Sequence, residues 1–397
     1  MSQSISLPGK PENTKLLGLD HLRTFAITFV ILFHYRIFKH PEWMDQAFAF
    51  GWTGVDLFFV LSGYLISAQL FSKIAQGKGI SLKEFFLKRF FRIIPAYLVV
   101  VALYFCIPVF REREALPPLW KFLTFTQNLG LNLKTTGTFS HAWSLCIEEQ
   151  FYLLLPLIIT ALLYFKVGRK SAWLIIALFI TGFVLRYISW VKLVVPFLEA
   201  DDSWVAWYRA IYYPTYNRLD GLLVGVSIAG VFQFWPAIRE RVTRYGNVIL
   251  IIGLLLLAGA YFLCEDPGSF NATIFGFPLV AIAYGAIVMA AISPSCVLYR
   301  LNSRISSRIA ILSYSIYLSH KGVIHLTQLL CSKWGIAEKG HVMFFICMIT
   351  TILGALVMRY AVEKPFLHIR DYILYKKTTS NIVKPVAFLN VDLINKS

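Results

Sequence analysis

Ten stretches of this 397-residue sequence are long and apolar enough to cross a lipid bilayer as helices. A membrane-spanning helix needs about 20 mostly apolar residues. The predicted spans cover residues 20–38, 52–71, 94–110, 146–165, 171–193, 217–235, 246–263, 271–292, 309–330 and 342–362. The sequence therefore predicts an all-α, polytopic membrane protein with about ten transmembrane helices.

Composition excludes two other classes of protein. Apolar residues make up 57% of the chain and charged residues only 15%, against about 25% charged residues in soluble domains. A soluble enzyme of this size could not cover so much apolar surface, and disordered chains are poor in apolar residues. The six cysteines form no C-x-x-C pair, and no metal-ligand spacing occurs, so no metal site is predicted.

The excess of basic residues indicates orientation rather than nucleic-acid binding. The chain has 38 Lys and Arg against 21 Asp and Glu, a formal charge of +17, and these residues lie between the apolar runs. With the N-terminus inside, most Lys and Arg of the connections fall on the inner side, so both termini are predicted to be cytoplasmic. Segment 81–94 is predicted to be an interfacial helix or the base of the third span.

Ionisable residues within the spans are costly in lipid and are therefore functional candidates. The predicted orientation places one set in the outer half of the membrane, comprising His34, Asp56, Glu148, Glu149, Arg218, Asp220 and His320. A second set, Arg23, Arg89 and Arg92, lies toward the cytoplasm. An outer acid–base cluster above an inner anion-binding cluster indicates a reaction between a cytoplasmic donor and an external acceptor.

Each candidate also has a structural interpretation. His34 can be a buried histidine that bonds a neighbouring helix, and Asp56 and Arg218 can form an intramembrane ion pair. Arg89 and Arg92 can be ordinary positive-inside anchors. His320 can be structural or gating rather than catalytic.

Six motifs in order resemble the acyltransferase-3 family of membrane acyltransferases. They are LDHLRTFAITFVILFHY (19–35), GWTGVDLFFVLSGYLIS (51–67), FLKRFFRIIPAY (86–97), HAWSLCIEEQFYLLLP (141–156), YNRLDGLLVG (216–225) and SYSIYLSH (313–320). The resemblance runs over a core of 17–365, within a single domain of 1–397 whose remainder, 366–397, is expected to be a basic cytoplasmic tail. Some members carry a further SGNH-type domain, which is not expected here.

The resemblance implies an activity and roles for particular residues. It implies transfer of an acyl group, usually acetyl from cytoplasmic acetyl-CoA, to a carbohydrate hydroxyl outside the cytoplasm. His34 and Arg23 match the essential pair of the first helix, and Arg89 and Arg92 match the pair associated with the donor. Acetyl-CoA would be a co-substrate, with no bound cofactor.

Acyl transfer to a hydroxyl needs a base and donors for the oxyanion. His34 is the predicted base, held by a carboxylate, Asp56 first and Glu149 second. Glu148 is a further catalytic candidate. Arg218 would pair with that carboxylate or serve the oxyanion, and Arg23, Arg89 and Arg92 would bind CoA. The residues expected to contact substrate or gate the site are Trp143, Ser144, Asp220 and His320.

Two other functions stay open at this point. Intramembrane His, Asp and Arg also suit a saccharide exporter or proton-coupled transporter, although paired half-helix repeats are missing from the sequence. A succinyl transfer to a glucan is the second alternative. The expected partners are a lipid bilayer and an extracytoplasmic or lipid-linked glycan such as O-antigen or exopolysaccharide, and the expected location is a bacterial inner membrane.

Overall fold

The computed structural model describes residues 16–382, and within that range the chain is helical and contains no strand. Residues 1–15 and 383–397 lie outside the described residues, as do both predicted cytoplasmic termini and the last part of the predicted tail. The long helices are α1 (Leu17–Tyr35), α2 (Gly54–Ala75), α3 (Leu82–Cys106), α4 (Trp143–Tyr164), α5 (Ser171–Ser189), α6 (Asp220–Phe234), α7 (Pro236–Arg244), α8 (Gly246–Leu263), α9 (Phe277–Ala291), α10 (Arg304–Lys333), α11 (His341–Met358) and α12 (Lys364–Ile382).

Within the described range, eight helical segments are long and apolar enough to cross a membrane, and the bent pair α6–α7 makes up to nine. The chain bends by 109° between the two helices of that pair. The segment predicted as the ninth span lies in α10, whose 30 residues extend about 45 Å. Serine, histidine and lysine side chains make α10 more polar than the eight segments counted as spans. Each of the ten predicted spans overlaps one of these helices, which confirms the polytopic all-α fold.

Segment 81–94 forms the base of a span and not a separate interfacial helix. It is continuous with the third span in α3, whose N-terminus is capped by the Ser81 hydroxyl accepting from the backbone N–H of Glu84. Arg89 and Arg92 therefore lie on the same continuous helix as the apolar turns of the third span. The helix α12, which begins the predicted tail, packs against α3.

Glycines allow the central helices to approach closely. A Cβ atom on Gly63 of α2 would lie 2.2 Å from the carbonyl oxygen of Leu222 in α6, and one on Gly225 would lie 2.3 Å from that of Val60. Small residues at such crossings let backbones pack tightly in lipid. Asp56 is in the first turn of α2 and Arg218 lies two residues before α6. The close contact of the two helices therefore positions Asp56 next to Arg218.

The peripheral helices α5 and α8 present large apolar side chains to the surroundings. Leu255 and Phe262 of α8 are 68% and 74% exposed, and Ile180 and Val184 of α5 are also exposed. A soluble protein would bury a patch of this extent. These helices form a lipid-facing surface, and the polar residues considered below lie inside the bundle.

Candidate active site

The first helix carries Arg23 and His34 on one face. His34 lies eleven positions after Arg23, which corresponds to three turns and about 16 Å along a helix. Because α1 packs against α2 and α10, both side chains point into the bundle. His34 is buried and lines one cavity, and Arg23 lines another. The two ends of α1 therefore serve two different cavities.

The cavity at His34, here called the histidine cavity, has a volume of about 70 Å³. Its polar lining includes His34, His141, Lys321, Ser140 and Arg113. Much of the rest is aromatic, with Trp52, Trp143, Tyr208, Tyr212 and Tyr213. Trp143 was predicted to contact substrate, and the structure places it on this wall.

His34 is hydrogen-bonded to a second histidine, not to a carboxylate. Its Nδ1 lies 2.9 Å from Nε2 of His320, and Nδ1 of His320 lies 2.8 Å from the carbonyl oxygen of Tyr317. A carbonyl only accepts, so Nδ1 of a neutral His320 carries the proton and its Nε2 accepts from Nδ1–H of His34. This chain of bonds leaves the lone pair of His34 Nε2 available as a base.

The predicted carboxylate partner of His34 is therefore wrong for Asp56 and Glu149, since neither shares a described hydrogen bond with it. Asp56 instead accepts two hydrogen bonds from Nη2 of Arg218, at 2.9 and 3.1 Å. The Oε1 atom of Glu149 is buried without a hydrogen-bond partner. The depth of a residue in a span can be estimated from the sequence, but the direction in which its side chain points cannot. Asp56 and Glu149 therefore have other neighbours than His34.

Two residues that the sequence interpretation overlooked lie beside His34. The ring centroid of His141 is 5.8 Å from that of His34 and 4.7 Å from that of His320. The Lys321 ammonium is buried, 3.2 Å from the Ser140 hydroxyl and 3.9 Å from Glu112. The sequence could have identified both residues as candidates, because His141 is the first residue of the fourth motif and Lys321 directly follows the sixth.

Asp56 and Arg218 belong to a buried network of four charges. Arg186 of α5, which the sequence interpretation did not single out, contacts Asp220 at 2.5 Å and extends toward carbonyls of a π-helical turn, Ala272–Gly276. The Arg218 guanidinium lies 4.1 Å from the ring centroid of Phe277 and is surrounded by Trp52, Trp143 and Tyr212. Arg218 and Asp220 line neither cavity, and the arrangement matches the structural ion-pair interpretation.

The second cavity, here called the arginine cavity, has a volume of about 290 Å³. Arg23, Arg89 and Arg92 line it together, as the sequence grouping predicted. Arg89 also lies over the ring of Tyr152, 5.0 Å from its centroid. Three guanidinium groups around one cavity form a site suited to phosphate.

Glu148 lies in the arginine cavity and not at the height of His34. It accepts from the Ser62 hydroxyl at 2.9 Å and from Tyr152 at 3.2 Å. The predicted span began at residue 146, but α4 begins at Trp143 after a 3-10 turn, Ser140–Ala142. His141 therefore occupies the height predicted for the glutamates, and Glu148 is about 10 Å further along.

The two cavities meet at one partition. Ser144 and Tyr317 line the arginine cavity, and their hydroxyls are 2.6 Å apart. The Tyr317 hydroxyl also donates to the carbonyl oxygen of His141, which lines the histidine cavity. A single hydrogen bond thus joins a residue of one cavity to a residue of the other.

Comparison with known proteins points to one family. A family profile described as an acyltransferase domain matches residues 16–360. The chain is 32% identical over 333 residues to "O-acetyltransferase OatA" of Staphylococcus aureus, covering 78% of this chain and 50% of that protein. It is 30% identical over 330 residues to "Peptidoglycan O-acetyltransferase OatA" of Listeria monocytogenes, covering 78% and 49%. The chain thus spans about half the length of these curated relatives, and no solved structure matches it significantly.

Proposed function

This chain belongs to the acyltransferase-3 family, and from that premise we propose that it is an O-acetyltransferase. It would move acetyl from acetyl-CoA at the arginine cavity to a carbohydrate hydroxyl in the histidine cavity. The observation that carries the proposal is the junction of these two cavities, with an unprotonated His34 Nε2 on one side and three arginines on the other.

His34 acts as the general base. Its Nε2 takes the proton of the acceptor hydroxyl as the oxygen attacks the thioester carbonyl, and a tetrahedral oxyanion forms. Collapse of that intermediate breaks the C–S bond, and the proton on His34 passes to the departing thiolate. His320 holds the required tautomer, as the carboxylate does in a Ser-His-Asp triad. Lys321, a cation of the same cavity, would stabilise the oxyanion.

The donor binds by its phosphates. Guanidinium groups make bidentate contacts to phosphate oxygens, so Arg89 and Arg92 would hold the pyrophosphate of CoA, and Arg23 would line the passage of the pantetheine arm. The thioester would reach the partition at Ser144 and Tyr317. With both cytoplasmic termini as predicted, this cavity faces the cytoplasm.

The acceptor is a glycan outside the cytoplasm. The aromatic wall of Trp52, Trp143, Tyr212 and Tyr213 offers flat, partly polar surfaces with an apolar body. The Listeria relative is named for peptidoglycan, which makes peptidoglycan the first acceptor to test, before O-antigen and exopolysaccharide. The enzyme would work in a bacterial inner membrane.

The test is a transfer assay with the purified protein in lipid nanodiscs. Acetyl-CoA labelled in the acetyl group is supplied with soluble peptidoglycan fragments, and labelled ester in the glycan is measured. Succinyl-CoA in a parallel reaction decides the donor. Transport of the glycan in proteoliposomes without ester formation would favour the exporter and contradict the proposal.

Replacing both Arg89 and Arg92 by alanine is expected to weaken donor binding more than it slows chemistry. Hydrogen bonds to charged groups contribute about 1.5–3 kcal/mol each, so KM for acetyl-CoA should rise at least about tenfold while kcat at saturating donor changes little. The exposed pair Arg239 and Arg241 of α7 provides a charge-matched control. An unchanged KM would reduce Arg89 and Arg92 to membrane anchors.

His320→Ala is expected to lower kcat and leave KM for acetyl-CoA unchanged, because His320 positions His34 without lining the donor cavity. The loss should be about 10²-fold, at the low end of what general-base catalysis contributes. His320→Gln, whose amide oxygen can accept from His34 Nδ1, should recover part of the activity. Equal loss in both variants would contradict the tautomer role.

A further inference from the structure

A third cavity adjoins the arginine cavity and is not used by the mechanism above. This lysine cavity, of about 120 Å³, shares Gln69, Arg89 and Arg92 with the arginine cavity. Its other cationic residues come from three different helices, Lys73 from α2, Lys88 from α3 and Arg370 from α12. The shared arginines therefore lie between two separate pockets.

One carboxylate faces these cations within the cavity. Glu84 Oε1 is 2.6 Å from Nζ of Lys88 and 3.5 Å from Nζ of Lys73. Among the residues that line the cavity, Glu84 is the single acid against five cations. Arg370 also pairs with the exposed Asp371 outside the lining, 2.7 Å away. The lining still carries a net positive charge, and Glu84 acts as an internal counter-ion at its lysines.

The two cavities and the arginines between them follow the same order as the chemical groups of coenzyme A. In that molecule the pyrophosphate lies between the pantetheine arm and an adenosine that carries a 3′-phosphate. Here the arginines lie between a larger cavity, which leads to the partition, and a smaller one with a second set of cations. A pyrophosphate held by Arg89 and Arg92 would direct the arm one way and the nucleotide the other.

We propose that Lys73, Lys88 and Arg370 form a subsite for a phosphate monoester, the 3′-phosphate of the acyl donor, and that Glu84 occupies this subsite until the donor binds. The proposal rests on the proposed function, which supplies the CoA donor. Binding replaces the Glu84 contacts with phosphate contacts. It also ties α12 to α2 and α3 through the ligand.

The experiment compares CoA with 3′-dephospho-CoA, which lacks only the monoester. Dissociation constants are measured by calorimetry on the full chain in phosphatidylcholine nanodiscs. The unsubstituted protein should bind CoA about tenfold or more tightly than dephospho-CoA, since each phosphate contact is charge-assisted. Lys88→Ala and Arg370→Ala should remove most of that preference by weakening CoA alone.

Two further variants separate the subsite from a general effect of charge or folding. Glu84→Gln should bind CoA more tightly and dephospho-CoA as before, a gain that a folding defect cannot produce. Lys83→Ala removes an exposed lysine of the same helix that lines neither cavity, and should leave both constants unchanged.

The possible failures are distinguishable. Equal affinity for CoA and dephospho-CoA would overturn the subsite and leave the CoA donor standing, whereas no binding of either would contradict the proposed function itself. A lipid headgroup offers the same phosphate monoester, so the measurement is repeated in nanodiscs containing phosphatidic acid. If the protein still prefers CoA over dephospho-CoA in these nanodiscs, the subsite is supported. If phosphatidic acid abolishes that preference, the lysine cavity binds the lipid headgroup instead.

Discussion

Replacing His34 by alanine is expected to abolish acetyl transfer while the protein remains inserted and folded. In the proposed mechanism the free Nε2 of His34 is the base that activates the acceptor hydroxyl, and general-base catalysis contributes about 10²- to 10⁴-fold to the rate. Its loss leaves Nε2 of the buried His320 without its partner, at a cost of about 1–3 kcal/mol, which a stable bundle should tolerate. The rate is measured with labelled acetyl-CoA in nanodiscs, and folding by gel filtration.

The control for this variant is His325→Ala. His325 lies on α10 near His320 but lines neither the histidine nor the arginine cavity, and its loss should not affect transfer. Full activity of His34→Ala would remove His34 from the mechanism. Rapid quenching of a single turnover also tests whether the acetyl group passes through a covalent acetyl-His34, which the direct mechanism does not form.

Replacing Asp56 by alanine is expected to destabilise the fold, because it leaves Arg218 as an uncompensated buried charge. Breaking a buried ion pair in this way costs about 3–5 kcal/mol. The double variant Asp56→Leu/Arg218→Met removes both charges and should recover much of that loss. The measurement is thermal unfolding in detergent, followed by the fraction that remains monodisperse.

The exposed Asp45, which lies 3.4 Å from the half-buried Arg36 and 3.0 Å from His40, provides the control for Asp56→Ala. Asp45→Ala should cost less than about 1 kcal/mol, since surface pairs contribute little. A stable but inactive Asp56→Ala protein would instead support the catalytic carboxylate that the sequence interpretation favoured. Loss of stability with residual activity would support the structural ion pair.

The sequence predicted the elements of the fold well, because the length of an apolar run is a local property. It could not show that α6 ends at Phe234 and turns sharply into α7 at a single residue, Trp235. Nor could it decide whether residues 81–94 continue into the third span. Those outcomes depend on which helices pack together, for example at Gly63 and Gly225.

The sequence grouping of Arg23 with Arg89 and Arg92 agrees with the structure, and the grouping of the carboxylates with His34 does not. Arg23 and His34 share a face because eleven residues make three turns, and Arg89 and Arg92 are one turn apart. The carboxylates were grouped with His34 by height alone, and an error of three residues in the start of α4 moved Glu148 into the other cavity. His34 instead lies beside His320 and Lys321, which the packing of α1 on α10 brings to it, and beside His141 from the turn that precedes α4.

The hydrogen bond from Tyr317 to the backbone of His141 has an electrical consequence for the proposed reaction. Moving one elementary charge across a membrane costs about 2.3 kcal/mol per 100 mV, and a continuous wet channel would let protons and ions discharge that voltage. In the proposed mechanism, closure of the bundle at this tyrosine would insulate the two aqueous compartments from each other. Acetyl would move toward the acceptor while the proton of the acceptor hydroxyl moves to the thiolate, so no net charge would cross and the turnover rate should be independent of the membrane potential.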